Sequence, residues 1–290
     1  MTNRPTAVLS VDLELFSHTP AYRQASETVE NEGVGTDGID FLQQEFASRE
    51  IESTWFVVSD VATAVPDRIA ELAAEGHEIG SHTVTHRLLG DLDEAARTAE
   101  IANSKAQLES VTGKKVKGFR APAFSFGEDH FDALAAAGYE YDSSVVASRR
   151  IPGWYGGEYS LNRPAAASAV SPSNPNSIAE LPVSVMPGVR LPLTGTWLRF
   201  FGPWYTILGM KLLARRGISP ILYVHPWEFV ELPQLEGVPK RVYYHTGEWM
   251  RRAVRRILET DFEFTSARSV LQESGLEGTP SRAESSERAQ

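Results

Sequence analysis

The chain has 290 residues, enough for one large domain or two small ones whose core needs no covalent staples. It contains no cysteine, which excludes disulfides, thiolate metal ligands and a cysteine nucleophile. Asp and Glu number 38 against 28 Lys and Arg, and the net charge of -10 argues against a sequence-independent grip on nucleic acid phosphates.

The N-terminus offers only Arg4 before the apolar run Ala7 to Leu9, and Asp12 interrupts that run too early for a signal peptide, so the expectation is a cytoplasmic protein. No stretch of about eighteen apolar residues is present, and no membrane span is predicted. Residues Thr6 to Val11 read as a strand buried on both faces, ending in Asp12-Leu13-Glu14. Strand side chains alternate, so Asp12 and Glu14 project to one side, at the end where parallel α/β folds gather their chemistry. Phe16 to Gly35 has no period and reads as a loop, with His18 exposed rather than ligating. Asp37 to Arg49 then has helical spacing, and Ile51 to Val58 is a second strand.

Ser59 or Asp60 is placed to cap a helix over Pro66 to Glu75, and His77 to Gly80 forms a third strand. His82 and His86 follow at its end. Their i, i+4 spacing would put both rings on one face of a helical turn, half of a four-coordinate metal site. Leu92 to Val111 is a long amphipathic helix closed by Gly113, and Val116 to Phe119 a strand ending in Arg120-Ala121-Pro122. His130 to Ala137 is helical, and Tyr139 to Ser144 is another strand exit. Arg149 to Asn176 reads as an irregular insertion. Its aromatics Trp154, Tyr155 and Tyr159 are more simply the loop's own small core than platforms for sugar rings.

Leu198 to Leu213 is apolar and flanked by Arg199, Lys211, Arg215 and Arg216. A barrel helix covering the strand Ile218 to Val224 is preferred here to a helix lying on a membrane surface. That strand ends in His225-Pro226-Trp227-Glu228. A helix over Gly247 to Leu258, a strand over Phe262 to Phe264 and a helix over Ser266 to Glu273 complete one domain, residues 1–273, and 274–290 read as a disordered polar tail. Two histidines and a carboxylate can hold a divalent metal that polarises a carbonyl and acidifies water. A second carboxylate and a further histidine then suit base and acid, an inventory for metal-assisted amide or ester hydrolysis.

Ser10-Val11-Asp12-Leu13-Glu14, Ser81 to His86, Arg120-Ala121-Pro122 and Tyr223-Val224-His225-Pro226 together resemble the successive motifs of the polysaccharide deacetylases, the NodB-homology or carbohydrate esterase family four group. The resemblance spans roughly residues 6 to 270. It is nearest the branch with Val-Asp-x-Glu and His-Pro-Trp-Glu motifs, to which Gly195 and Arg241 to Tyr244 are also similar. It implies a distorted (β/α) barrel of about seven strands and a metal-dependent deacetylase of N-acetylated sugars. His82 and His86 become metal ligands, Asp12 the base, Arg120 the residue orienting it and His225 the acid.

Two motifs depart from the family pattern. Leu13 stands where a second aspartate usually ligates the metal; it points away from Asp12, so Glu14 takes the third ligand position. No aspartate is evident to hold the acid histidine, and Glu228 and Glu180 both stand as candidates. Zinc is the first expectation, with cobalt, nickel or manganese served by the same ligands. The expected partner is an N-acetylated carbohydrate, with no nucleic acid and no membrane span. The rival readings are a hydrolase of another small amide or ureide, and a glycan-binding module that has lost catalysis.

Overall fold

The computed structural model describes residues 4–25, 34–151 and 156–276. Nine strands are found among these residues: β1 (Thr6–Leu13), β2 (Thr54–Val57), β3 (Glu78–Ser81), β4 (Gly118–Phe119), β5 (Tyr141–Asp142), β6 (Ala165–Ala166), β7 (Ala179–Glu180), β8 (Ile221–Val224) and β9 (Glu263–Phe264). Between them run α1 (Thr36–Ala47), α2 (Ser59–Ala64), α3 (Pro66–Ala74), α4 (Glu94–Thr112), α5 (His130–Ala136), α6 (Gly195–Phe201), α7 (Pro203–Ala214), α8 (Glu248–Leu258) and α9 (Ala267–Glu273). Seven strands are parallel, in the order β7-β5-β4-β3-β2-β1-β8, with β6 antiparallel on β7 and β9 parallel beside β1. The sheet curls until its ends meet: the Ser184 N–H donates to the Ile221 carbonyl at 2.9 Å, and Thr194 bridges Tyr223. This is the α/β fold with a distorted, partly closed barrel that the motif order implied.

Alternation along β1 organises the interior. Leu9, Val11 and Leu13 face outward into the main core under the helices. Val8 faces inward, joining Phe56, Tyr141 and Ile221 in a cluster closed by Val270 and Leu271 of α9. The barrel is thus plugged at the N-terminal end of its strands. Ser10 and Asp12 continue the inward series toward the open end, so the strand period alone delivers polar groups there.

Several elements differ from the sequence reading. The single helix expected over Leu198 to Leu213 is two, broken at Gly202, whose φ of +82° begins a turn that Pro203 carries into α7. Ser59 and Asp60 lie inside α2 and cap nothing; the Ser59 hydroxyl instead donates to Gln107 on α4 at 2.6 Å. The insertion contributes β6 as an edge strand. Trp154, Tyr155 and residues 277–290 lie outside the described residues.

Candidate metal centre and active site

Asp12 and Glu14 stand side by side at the open end of the barrel, each 3% exposed, while Leu13 between them is fully buried in the outer core and offers nothing to the site. His82 and His86 face them from the segment after β3, with ring centroids 4.9 Å apart. The pair is not on a helical turn, as its spacing suggested. The segment is a loop in which Thr83 and His86 adopt left-handed conformations, φ 69° and 57°, an arrangement a β-branched residue takes only under constraint. The constraint is a buried carboxylate from α4. Glu100 accepts the N–H groups of Val84 and Thr85, at 2.8 and 3.0 Å, and the Thr85 hydroxyl at 2.6 Å.

Both imidazoles are held through Nδ1. That of His82 lies 2.7 Å from the Arg120 carbonyl and that of His86 3.0 Å from the His18 carbonyl. A carbonyl only accepts, so each Nδ1 carries the hydrogen, which leaves Nε2 as the ring atom free to serve as a ligand. His18, expected to be exposed, is half-buried and serves through its backbone. His86 Nε2 sits 2.5 Å from Glu14 Oε2, and that oxygen accepts no hydrogen bond. A shared cation, a proton on Nε2 or a metal ion, reconciles the two atoms at this separation. One ligand atom each from Glu14, His82 and His86 lies within 4.8 Å of the others, a set of two imidazole nitrogens and one carboxylate that fits a divalent metal. Burial drives the His82 pKa down to about 4, keeping it in the neutral, ligating form. Burial also opposes ionisation of Glu14, but positive charge on His86, and then on His225, outweighs it and holds this carboxyl far below the ordinary carboxylate range.

Beneath this group Arg120, fully buried, donates from Nη1 to Asp12 Oδ1 at 2.6 Å and to the Ser10 hydroxyl at 2.9 Å. Its Nε and Nη2 donate to the Ser143 carbonyl and hydroxyl, at 3.1 and 2.8 Å, and its guanidinium lies over the Phe56 ring. Arg120 therefore does not line the pocket; it fixes the carboxylate that does.

His225 stands on the opposite side, its Nε2 3.7 Å from Glu14 Oε1 and its Nδ1 3.3 Å from Glu228 Oε2. Glu228 in turn accepts the His225 N–H at 3.0 Å and Arg199 Nε at 2.8 Å. Gly195 makes room: a Cβ there would collide with the Glu228 carboxylate. Of the two candidate partners for His225, Glu228 is the one in contact. Glu180 lies elsewhere, in a buried group with Asp142 and His130, where burial and then Asp142 keep it protonated. Burial lowers the His225 pKa, but Glu228 more than offsets this and raises it to about 8. Trp227 stacks on His225 at 5.2 Å and donates from Nε1 to Glu14 Oε1 at 3.0 Å.

Asp12, Glu14, His82, His86 and His225 all open on one cavity of about 580 Å³, with Phe124, Phe126, Tyr159, Phe200, Tyr223 and Trp227 among its walls. Tyr159 stacks on Phe126 at 5.9 Å, so it is both part of the loop's packing and a wall of the pocket. Three side chains with a place in the site escaped the sequence reading: Glu100, Trp227 and Arg199. Trp227 sits inside the His-Pro-Trp-Glu motif, and Arg199 is a lone charge inside the apolar run Trp197 to Phe201; Glu100 left no such signal.

Residues 40–141 match a family model described as Polysaccharide deacetylase, and residues 143–272 match one described as Domain of unknown function (DUF3473). The first stretch holds His82, His86 and Arg120, the second His225, Glu228 and Arg199. A chitin deacetylase from Pestalotiopsis sp is 31% identical over 96 residues, 32% of this chain and 32% of that protein. A peptidoglycan deacetylase from Helicobacter pylori is 24% identical over 118 residues, 41% of this chain and 40% of that protein. The matched stretch thus spans less than half of either relative. Among solved structures, a Mycobacterium smegmatis protein assigned to the polysaccharide deacetylases superposes with a TM-score of 0.67 at 20% identity, covering 94% of this chain and 91% of that one. Puue allantoinase superposes at 0.62 with 18% identity, covering 93% and 90%. At these identities the likeness shows the fold.

Proposed function

Since the chain belongs to the polysaccharide deacetylase family, we propose that it is a metal-dependent hydrolase that removes acetyl groups from an N-acetylated sugar or glycan. The observation that carries this reading is the convergence of Glu14 Oε2 and the two imidazoles whose Nδ1 atoms are locked to carbonyls. Glu14, His82 and His86 would hold the metal, with zinc the first expectation for two nitrogens and one carboxylate. Such an ion, when bound, polarises an acyl carbonyl and acidifies water.

The chain's own groups supply the rest. Asp12, its Oδ1 held by Arg120, takes the proton from the attacking water. His225, its Nδ1 side held by Glu228 and its pKa raised to about 8, keeps a proton at neutral pH and delivers it from Nε2 to the departing amine. The half-apolar pocket has the size for a sugar ring, and Tyr159 and Phe200 stand among its walls as rings against which one can stack.

Metal analysis together with acetate release from N-acetylated hexosamine oligomers tests the reading. The zinc-loaded protein is expected to hold about one equivalent of metal; Glu14→Ala and His86→Ala lose it, whereas Asp12→Asn keeps it and loses turnover. Metal below about a tenth of an equivalent in the folded, zinc-loaded wild type would sink the proposal. Ammonia released from small ureides in place of acetate would move the substrate to another amide class.

A further inference from the structure

Helices α6 and α7 carry a face left uncovered among the described residues. Trp204 is 64% exposed, Leu208 44% and Phe201 39%, although Tyr205, Met210 and Leu213 of the same segment pack into the core. Trp204, Leu208, Lys211 and Arg215 recur at i, i+4, i+7 and i+11, one face of α7, with the apolar residues at its start and the cations at its end.

The charge around this face is one-sided. Between Glu180 and Glu228 the sequence has no acidic residue and five basic ones, in a chain whose net charge is -10. The neighbouring α8 brings Glu248, but that carboxylate faces Arg252 at 3.6 Å. The patch also runs into the active site. Phe200, 36% exposed, lines the pocket and stacks on the exposed ring of Tyr244 at 6.0 Å.

We propose that this face seats the protein on the headgroup layer of an anionic lipid bilayer, with α7 lying flat, Trp204 and Leu208 inserted, Lys211 and Arg215 against phosphates, and the pocket mouth turned toward the membrane. Aromatic and aliphatic side chains beside lysine and arginine are the composition of an interfacial helix. At 12 residues α7 is too short to span a bilayer. A second copy of this chain is the poorer occupant, since the segment carries no acidic residue with which one copy could answer the cations of the other. Anionic headgroups supply the missing charge.

Sedimentation of the full chain with phosphatidylcholine vesicles containing about one-third phosphatidylglycerol tests this without reference to turnover. Wild type is expected to pellet with these vesicles and to stay in solution with pure phosphatidylcholine. W204S/L208S and K211E/R215E are each expected to lower the bound fraction about tenfold, and about 0.5 M salt to release the wild type. Because all four side chains are exposed, thermal melts of both variants should match wild type; if one fails to fold, the other carries the comparison. The proposal falls if wild type ignores the anionic vesicles or if the folded variants bind as well as it does. It falls also if light scattering gives twice the chain mass for wild type and a single chain for W204S/L208S, since a second copy then covers the face.

Discussion

Cavities open at both ends of the strands, about 580 Å³ at the C-terminal end and about 380 Å³ at the N-terminal end, and the two treat charge in opposite ways. At the N-terminal end Lys114, Lys117 and Glu78 each have an internal partner. The Lys114 ammonium donates to the Ala73 carbonyl, Lys117 pairs with Glu140 at 2.5 Å, and Glu78 accepts from Thr54, Tyr141 and the Arg268 N–H. At the C-terminal end Glu14 Oε2 has no donor and faces His86 Nε2 at 2.5 Å. A cavity lined by satisfied groups is a consequence of packing; one lined by groups that need a further charge is arranged for a ligand.

Substitutions at the two ends should therefore differ in what they remove. The largest effect is expected at the open end: Asp12→Asn should lower turnover by about 10³-fold or more while metal content stays near wild type, and it should also lower stability, because the buried Arg120 guanidinium loses its carboxylate partner. Arg120→Met should act on both activity and fold, since it strands the buried Asp12 carboxylate; urea unfolding is expected to show a loss of about 3–5 kcal/mol. Glu228→Gln should be milder, costing about 1.5–3 kcal/mol by weakening the bond to buried Arg199. If that variant left both unfolding and turnover unchanged, Glu228 would not be what positions His225.

The smallest effect belongs to the plugged end. Glu78→Gln offers an oxygen to Thr54 and Arg268 and an amide to Tyr141, and should stay within about 1 kcal/mol of wild type near neutral pH. Its signature is in the pH dependence. Burial raises the Glu78 carboxyl above 4.5, so the folded protein binds this proton more tightly than the unfolded chain. The stability this contributes is full below about pH 4.5 and is lost as pH rises through the folded value. Relative to wild type, Glu78→Gln should therefore gain unfolding free energy as pH rises above about 4.5. A flat difference across that range would show that Glu78 titrates normally.

The strand exits were readable because their period is local. Asp12 and Glu14 share a side, and Leu13 turns away, for no reason beyond alternation. The histidine pair was placed near the right partners by an incorrect geometry. An i, i+4 spacing suggests a helical turn, whereas here Thr83 and His86 are bent against their own backbone preference by Glu100, a carboxylate on a helix more than a dozen residues away. The choice between Glu228 and Glu180 was equally out of reach. It depends on Arg199 and on the space left by Gly195, both on a helix that the sequence pattern merged with the next.

Taken alone, then, the order of residues determined the alternation of strands and helices, which acids and histidines stand at strand ends, and the cation-rich, acid-free stretch around α7. These follow from periods of two and about 3.6 residues and from counting charges, and both act within a few residues. Only the tertiary structure decided that Nδ1 of His82 and of His86 meets a carbonyl, that Arg120 lies under Asp12 rather than in the pocket, and that Trp227 reaches Glu14. Those contacts join segments up to 213 residues apart, which the order and curl of the strands bring within hydrogen-bonding range.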